Sequence, residues 1–332
     1  MTGGDVIEAV VKSVIIIIAL LTAFAYMTLY ERRILGRIQV RNGPNRVGPA
    51  GLLQPVADGV KLAFKQAITP RGVDKPLYLL APAISVVTAL SAFAVIPVGP
   101  TYNIFGRAIP FRLADFNVGL LFVLAMSSLG AYGIVLAGYS SNNKYSLLGG
   151  LRAAAQLISY ELSLGLSLVG ILMLSGSLSL TTIVDSQSRG LWYVILQPIA
   201  FVIFLISAIA ETNRAPFDLV EAEQELVGGY HTEYTGLRFA LFFMAEYINM
   251  VTVSALVATL FLGGWRGPFD LLSGPWWLLI KIIAVLTFYV VLRATLPRLR
   301  YDQLMRLGWH WLLPLALLNV VLTAIGITLF GG

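Results

Sequence analysis

The sequence predicts an all-α fold: a polytopic membrane bundle of about eight transmembrane helices plus a cytoplasmic amphipathic helix in the interface plane. Three observations predict it. Of 332 residues, 58% are hydrophobic and only 12% charged, and mean hydropathy is +0.81. Apolar runs near 20 residues recur from end to end, at 11–30, 77–98, 117–139, 155–176, 191–211, 237–262, 276–296 and 309–330. The 23 Lys and Arg are unevenly shared between alternate connections. A run of about 20 residues spans a ~30 Å hydrocarbon core at ~1.5 Å per residue. Backbone groups in lipid find partners only within the segment, so each run is a helix.

The first run follows two acids, Asp5 and Glu8, and is too long for a cleavable signal peptide. The connection after it, 31–76, carries Arg32, Arg33, Arg37, Arg41, Arg46, Lys61, Lys65, Arg71 and Lys75. With the other loops on its side it holds 17 of the 23 basic residues, so it is cytoplasmic and both termini face outward. The pI near 9.5 reflects this asymmetry and is no sign of nucleic-acid binding. Residues Arg41–Gly51 hold three Gly and two Pro, a turn-rich loop. From Leu52 the pattern turns helical: Leu52, Val56, Val60, Ala63, Phe64 and Ala67 recur at three and four, opposite Gln54, Asp58, Lys61 and Lys65. This stretch is too short and charged to span, so it lies on the surface, either as an anchor or as part of a site. The neighbouring arginines favour a site, since guanidinium suits a headgroup or a partner carboxylate.

The outer loops, such as GPTYNIFGRAIPFRLADF, read as plain connections. Glu161 lies about a quarter of the way along the fourth run, Glu211 closes the fifth, and Glu246 sits near the middle of the sixth. A charge at that depth costs ~3 kcal/mol or more, so such residues face a bundle interior or water. The bland alternative is a neutral, hydrogen-bonded acid that ties helices together. In the seventh run, Lys281 and Arg293 lie near opposite ends, where both can snorkel to water.

Between the fifth and sixth runs stands ETNRAPFDLVEAEQELVGGYHTEY, with six of the chain's 17 acids and one basic residue, Arg214. Glu211, Arg214, Asp218, Glu221 and Glu225 are spaced three, four, three, four, one stripe if the segment is helical. Pro216 argues against an unbroken helix. A solvated loop would explain the acids, but the filler of Phe217, Leu219, Val220, Leu226 and Val227 is too apolar for one. The chain has no Cys to ligate an iron–sulfur cluster, only two His (His231 and His310), and no Gly-rich phosphate loop. Electron chemistry would need a carrier held by a partner, or a diffusible substrate. A stand-alone ion-coupled transporter would show inverted repeats and helices broken at matching positions, and the sequence shows neither. A purely structural anchor leaves Glu161 and Glu246 without a reason.

Four motifs then carry a resemblance. ERRILGRIQVRNGPNRVGPAGLLQPVADGVKLAFK, KYSLLGGLRAAAQLISYELSLGL, ETNRAPFDLVEAEQELVGGYHTEY and ALFFMAEYINM closely resemble the family of H subunits of bacterial NADH-quinone oxidoreductase, respiratory complex I. Its mitochondrial members are NADH dehydrogenase subunit 1. The resemblance covers nearly the whole chain and implies one membrane domain, 1–332, whose loops 31–76 and 211–236 contact the peripheral arm. It implies that Arg37, Gln39, Arg41, Arg46, Asp58 and Phe64 line the quinone passage and meet that arm. Glu211, Asp218, Glu221, Glu223 and Glu225 match the family's acidic loop, and Glu161 and Glu246 its buried glutamates, a proton route. Val220 stands where a proline is usual and Gln66 where an acid is usual; Ser127-Ser128 stand where some members carry an acid, so no relay role is carried over to the third helix. The resemblance further implies quinone as substrate and no cofactor or metal on this chain, with FMN and iron–sulfur clusters in partner subunits. Expected partners are the peripheral-arm quinone-site subunits, neighbouring small membrane subunits and the bilayer of the cell inner membrane, and no nucleic acid. The alternative is the homologous subunit of a membrane-bound hydrogenase or of a ferredoxin- or F420-dependent dehydrogenase.

Overall fold

The computed structural model describes residues 3–104, 107–189, 191–220, 227–268 and 272–330. Seven of the described helices are long and apolar enough to cross a membrane, and a shorter apolar helix joins them. In chain order they are α1 (Gly3–Ile38), α3 (Lys75–Phe93), α4 (Gly119–Ser140), α5 (Lys144–Ser175), the shorter α8 (Pro198–Glu211), α9 (Leu237–Phe261), α10 (Pro275–Thr295), and a final segment from Tyr301 to Phe330. The amphipathic helix α2 spans Gln54–Phe64 and buries none of its residues.

The centre of the bundle is α9. All residues from Met250 to Phe261 are buried, as a helix apolar on every face must be. Around it pack α1, α3 and α10, while α3, α4, α5 and α8 follow one another as neighbours. Close approach is set by small residues. A Cβ on Gly133 of α4 would lie 2.1 Å from Ser85 Oγ and 3.0 Å from the Ala81 carbonyl of α3. On α5, a Cβ on Gly149 would lie 2.9 Å from the Tyr230 backbone nitrogen, so this glycine seats the loop before α9.

Four elements differ from the sequence expectation. The fourth span starts at Lys144 rather than 155, because the helix runs on beyond the purely apolar stretch; Glu161 is therefore its eighteenth residue of 32, near its middle. The fifth span is broken. A short α7 (Tyr193–Leu196) ends at Gln197, whose backbone is non-helical, and Pro198 starts α8. Gln197 is buried, donates to Thr323 at 2.8 Å and accepts from Asn319 at 2.9 Å. The last span is widened by a π-turn, Leu307–Leu312, between α11 (Tyr301–Arg306) and α12 (Leu313–Phe330). α1 and α5, at the corresponding places in the other half, run without a break, so the interruptions do not match across halves. The outer loop after α3 is not a plain connection: strands β1 (Thr101–Ile104) and β2 (Arg107–Pro110) pair antiparallel, with Thr101 opposite Pro110. Further short elements in the connections include α6 (Leu180–Ser186) and 3-10 turns at Pro49–Gly51, Gln187–Arg189 and Gly229–His231.

Candidate functional site

The most heavily charged buried place in the described structure lies where α1, α9 and α10 meet the loop after α8. Glu31 of α1 is 4% exposed and Arg214 8%. Arg214 Nε lies 2.6 Å from Glu246 Oε1 of α9, and its Nη1 lies 3.5 Å from Glu31 Oε1. The guanidinium carbon sits 4.3 Å from the Tyr247 ring centroid, and the Tyr247 hydroxyl donates to Glu31 Oε2 at 2.6 Å. Arg293 of α10 closes the group with an ion pair to Glu31. Burial works against the charge of Arg214, but Glu246 and Glu31 outweigh it and hold its pKa above the ordinary value. A buried pair survives in low dielectric only when both partners are present, so this cluster behaves as one unit.

A second polar group lies beside it. A cavity of ≈ 70 Å³ is bordered by Glu246 and Asn249 of α9, Glu211 at the end of α8, Asn213 just beyond it, Ser127 of α4 and Tyr230. That is room for on the order of a few water molecules, with polar groups to hold them. Ser127 donates to Glu211, and its neighbour Ser128 donates to Glu161 of α5. The Glu161 side chain lies on the exposed face of the bundle, outside the cavity lining.

The basic connection is partly helix: α1 continues to Ile38, so Arg32, Arg33 and Arg37 extend from a helix and not from a loop. Arg37, Gln39, Arg41 and Arg46 are all exposed. Arg41 Nε donates to Gln39 Oε1 at 2.8 Å. Asp58 of α2 ties that helix to α1 through Arg32 at 2.8 Å, with Lys61 at 3.4 Å. Partial burial disfavours the Asp58 carboxylate, and these two cations outweigh it, holding the carboxyl below its usual range. Val56, Val60 and Phe64 form an apolar stripe left open, Phe64 at 88% exposure.

After Glu211 the acidic connection is not α-helical over its described part, so the stripe that a helix would have made does not form. Residues 212–220 are turns and bends. Arg214 turns inward to Glu246, whereas Asp218 lies 3.4 Å from Arg298. The reason is the ion pairing itself, together with Phe217, Leu219 and Val220, which are buried and pull the chain onto the bundle. Glu221, Glu223 and Glu225 lie outside the described residues.

Neither cation of α10 simply snorkels. Lys281 is 7% exposed and donates to the carbonyls of Leu262, Gly264 and Arg266 beyond the C-terminus of α9. Its Nζ lies 4.6 Å from the Trp192 ring. Arg293 is spent on Glu31. Sequence reasoning therefore missed Glu31, Arg293 and the serines as members of the site. One signal was readable: Glu31 is the lone acid between a 20-residue apolar run and a cluster of arginines. Among the described residues no group of three or more His, Asp or Glu is placed to hold a metal ion.

A bundle of membrane-spanning helices with paired and hydroxyl-bonded carboxylates inside it defines a polytopic membrane protein built to handle buried charge. The family model described as NADH dehydrogenase matches residues 11–324, so the chain belongs to that family. It is 59% identical to the H subunit of NADH-quinone oxidoreductase from Thermomicrobium roseum, with 92% of each chain covered. It is 54% identical to an H subunit of the same oxidoreductase from Geobacter metallireducens, with 96% of each covered. It is 55% identical to the H subunit from Deinococcus deserti, over 95% of this chain and 82% of the relative.

Proposed function

We propose that this chain, a membrane subunit of NADH-quinone oxidoreductase, helps to form the quinone site with the peripheral arm and passes protonation changes inward through a set of carboxylates. Electrons reach the quinone from iron–sulfur clusters in partner subunits, which also hold FMN. Reduction of a quinone to a quinol consumes protons beside the acidic loop. Arg37, Gln39, Arg41, Arg46, Asp58 and Phe64 frame the mouth and dock the arm. Their exposure supports this role, because an open Phe64 and three exposed arginines, all within the 31–76 connection, are side chains suited to a partner. The small membrane subunits border the exposed faces of the bundle. The bilayer is the cell inner membrane, with both termini outward.

One observation carries the proposal: Glu246 and Glu211 border one cavity, and Glu246 also pairs with Arg214, the only Arg or Lys of the acidic connection. Glu211, Asp218, Glu221, Glu223, Glu225, Glu161 and Glu246 make up the route. Charge change in the loop displaces Arg214 from Glu246, and Glu246 then takes a proton from the cavity. A carboxylate neutralises when it loses its counter-cation in an apolar setting. Glu246→Gln keeps the shape and cannot ionise. Measured per assembled complex in membrane vesicles, it is expected to lower proton translocation coupled to quinone reduction. Normal rates of both processes would leave Glu246 a structural tie only.

A further inference from the structure

The two consecutive serines of α4 each end on a different glutamate, and the function above makes no use of them. Ser127 donates to Glu211 from α8, and Ser128 donates to Glu161 from α5. Ser128 Oγ also lies 3.0 Å from the Leu124 carbonyl one turn back on its own helix. Ser127 borders the cavity shared by Glu211 and Glu246. One helical residue therefore separates a carboxylate on the cavity from one on the outer face of the bundle.

A serine hydroxyl carries one proton and two acceptor lone pairs. Ser128 has two acceptors within reach, Glu161 and the Leu124 carbonyl, and one proton to give. When Glu161 is a carboxylate, the serine proton points to it. When Glu161 is a carboxylic acid, its own O–H donates to Ser128 Oγ, and the serine proton turns to Leu124. No proton is gained or lost by the serine, and no polar atom is stranded in either state. Ser127 meets Glu211 with the same kind of hydroxyl, at the border of the cavity. A carboxyl group at membrane depth, away from water, needs such a neighbour to titrate without losing a partner, because a hydrogen bond left unmade there is costly.

We propose that Ser127 and Ser128 are positioning residues that set Glu211 and Glu161 side by side across α4 and keep each satisfied in both protonation states. This rests on the proton-route reading of those glutamates. It gives the third membrane helix a part in the route although it carries no acid there.

The test uses the intact complex in membrane vesicles. Ser127→Ala and Ser128→Ala are made beside Ser127→Thr and Ser128→Thr, which keep the hydroxyl. The readouts are protons translocated per quinone reduced and the infrared C=O stretch of protonated carboxyl groups. Each alanine variant is expected to slow proton-coupled turnover on the order of tenfold, the worth of one charge-assisted hydrogen bond. It is also expected to shift a carboxyl band that Glu161→Gln (for Ser128) or Glu211→Gln (for Ser127) abolishes. The threonine variants are expected to restore both. Alanine variants with normal translocation and an unmoved band would overturn the proposal. If Glu161→Gln and Glu211→Gln themselves leave translocation normal, the route reading fails, and the serine proposal with it. If the glutamine variants impair translocation and the alanine variants do not, the serine proposal alone is lost.

Discussion

Replacing Arg214 by methionine is the sharpest perturbation of the charged cluster, because it removes the cation and keeps much of the apolar stem. In the native protein the Arg214 and Glu246 side chains are only 9% and 13% exposed, with Nε 2.6 Å from Oε1. Unit charges about 4 Å apart at an effective dielectric of ~20 interact by about 4 kcal/mol. Breaking one side of a buried pair costs about 3–5 kcal/mol for the same reason, the charge left behind. Glu31 keeps Arg293 and the Tyr247 hydroxyl, so the loss falls on Glu246. Lost contact with the Tyr247 ring, 4.3 Å away, adds to the penalty. The expected destabilisation is therefore about 4 kcal/mol, carried mainly by a Glu246 that has lost its cation. That origin fixes a sign: adding Glu246→Gln to Arg214→Met should recover part of the loss, by about 1–3 kcal/mol. The assay is the rate of thermal disassembly of the detergent-solubilised complex. A full 4 kcal/mol expressed in that barrier would be about a thousandfold acceleration. Two results would refute the reasoning. One is an Arg214→Met complex that disassembles at the wild-type rate. The other is a double variant that is no slower to disassemble than Arg214→Met alone.

The remaining expectations follow from other contacts. Lys281→Met strands three carbonyls, those of Leu262, Gly264 and Arg266, and is expected to destabilise the complex by about 3 kcal/mol; quinone reductase activity per assembled complex should stay normal, and a wild-type thermal midpoint would count against a buried role for this ammonium. The Asp58 carboxyl is held below its ordinary value of 3.8 by Arg32 and Lys61, so the tether of α2 to α1 is fully present above that pH and is lost as pH falls through the lower folded value. Hydrogen exchange of the α2 amides, corrected for intrinsic rates, should show that loss of protection in the wild type. In Asp58→Asn the amides should already exchange faster at neutral pH and show no such step; an equal step in both proteins would assign it to another group.

How much of this was legible in the residues varies by element. The spans could be read because hydropathy sums over a segment, and in lipid a segment that satisfies its own backbone has one solution, the helix. Their ends were less legible. α5 starts 11 residues before the apolar run, since helix geometry continues past the point where lipid demands it. The break at Gln197 was hidden because its compensation comes from Asn319 and Thr323, more than 120 residues away.

By itself the sequence determined that the chain crosses a membrane repeatedly, that its acids gather between the fifth and sixth spans, and which family it resembles. Glu161, Glu211 and Glu246 stood out because an acid in an apolar run is expensive wherever it points. Only the tertiary structure decided what each acid meets. Glu31 finds Arg214 and Arg293 across 183 and 262 residues, and Glu211 finds Ser127 across 84. Composition and periodicity report how well a segment is solvated on average and which face of it is apolar. They do not report which neighbour that face will meet, and a buried charge is settled by its nearest partner, a few ångströms away in space and far along the chain.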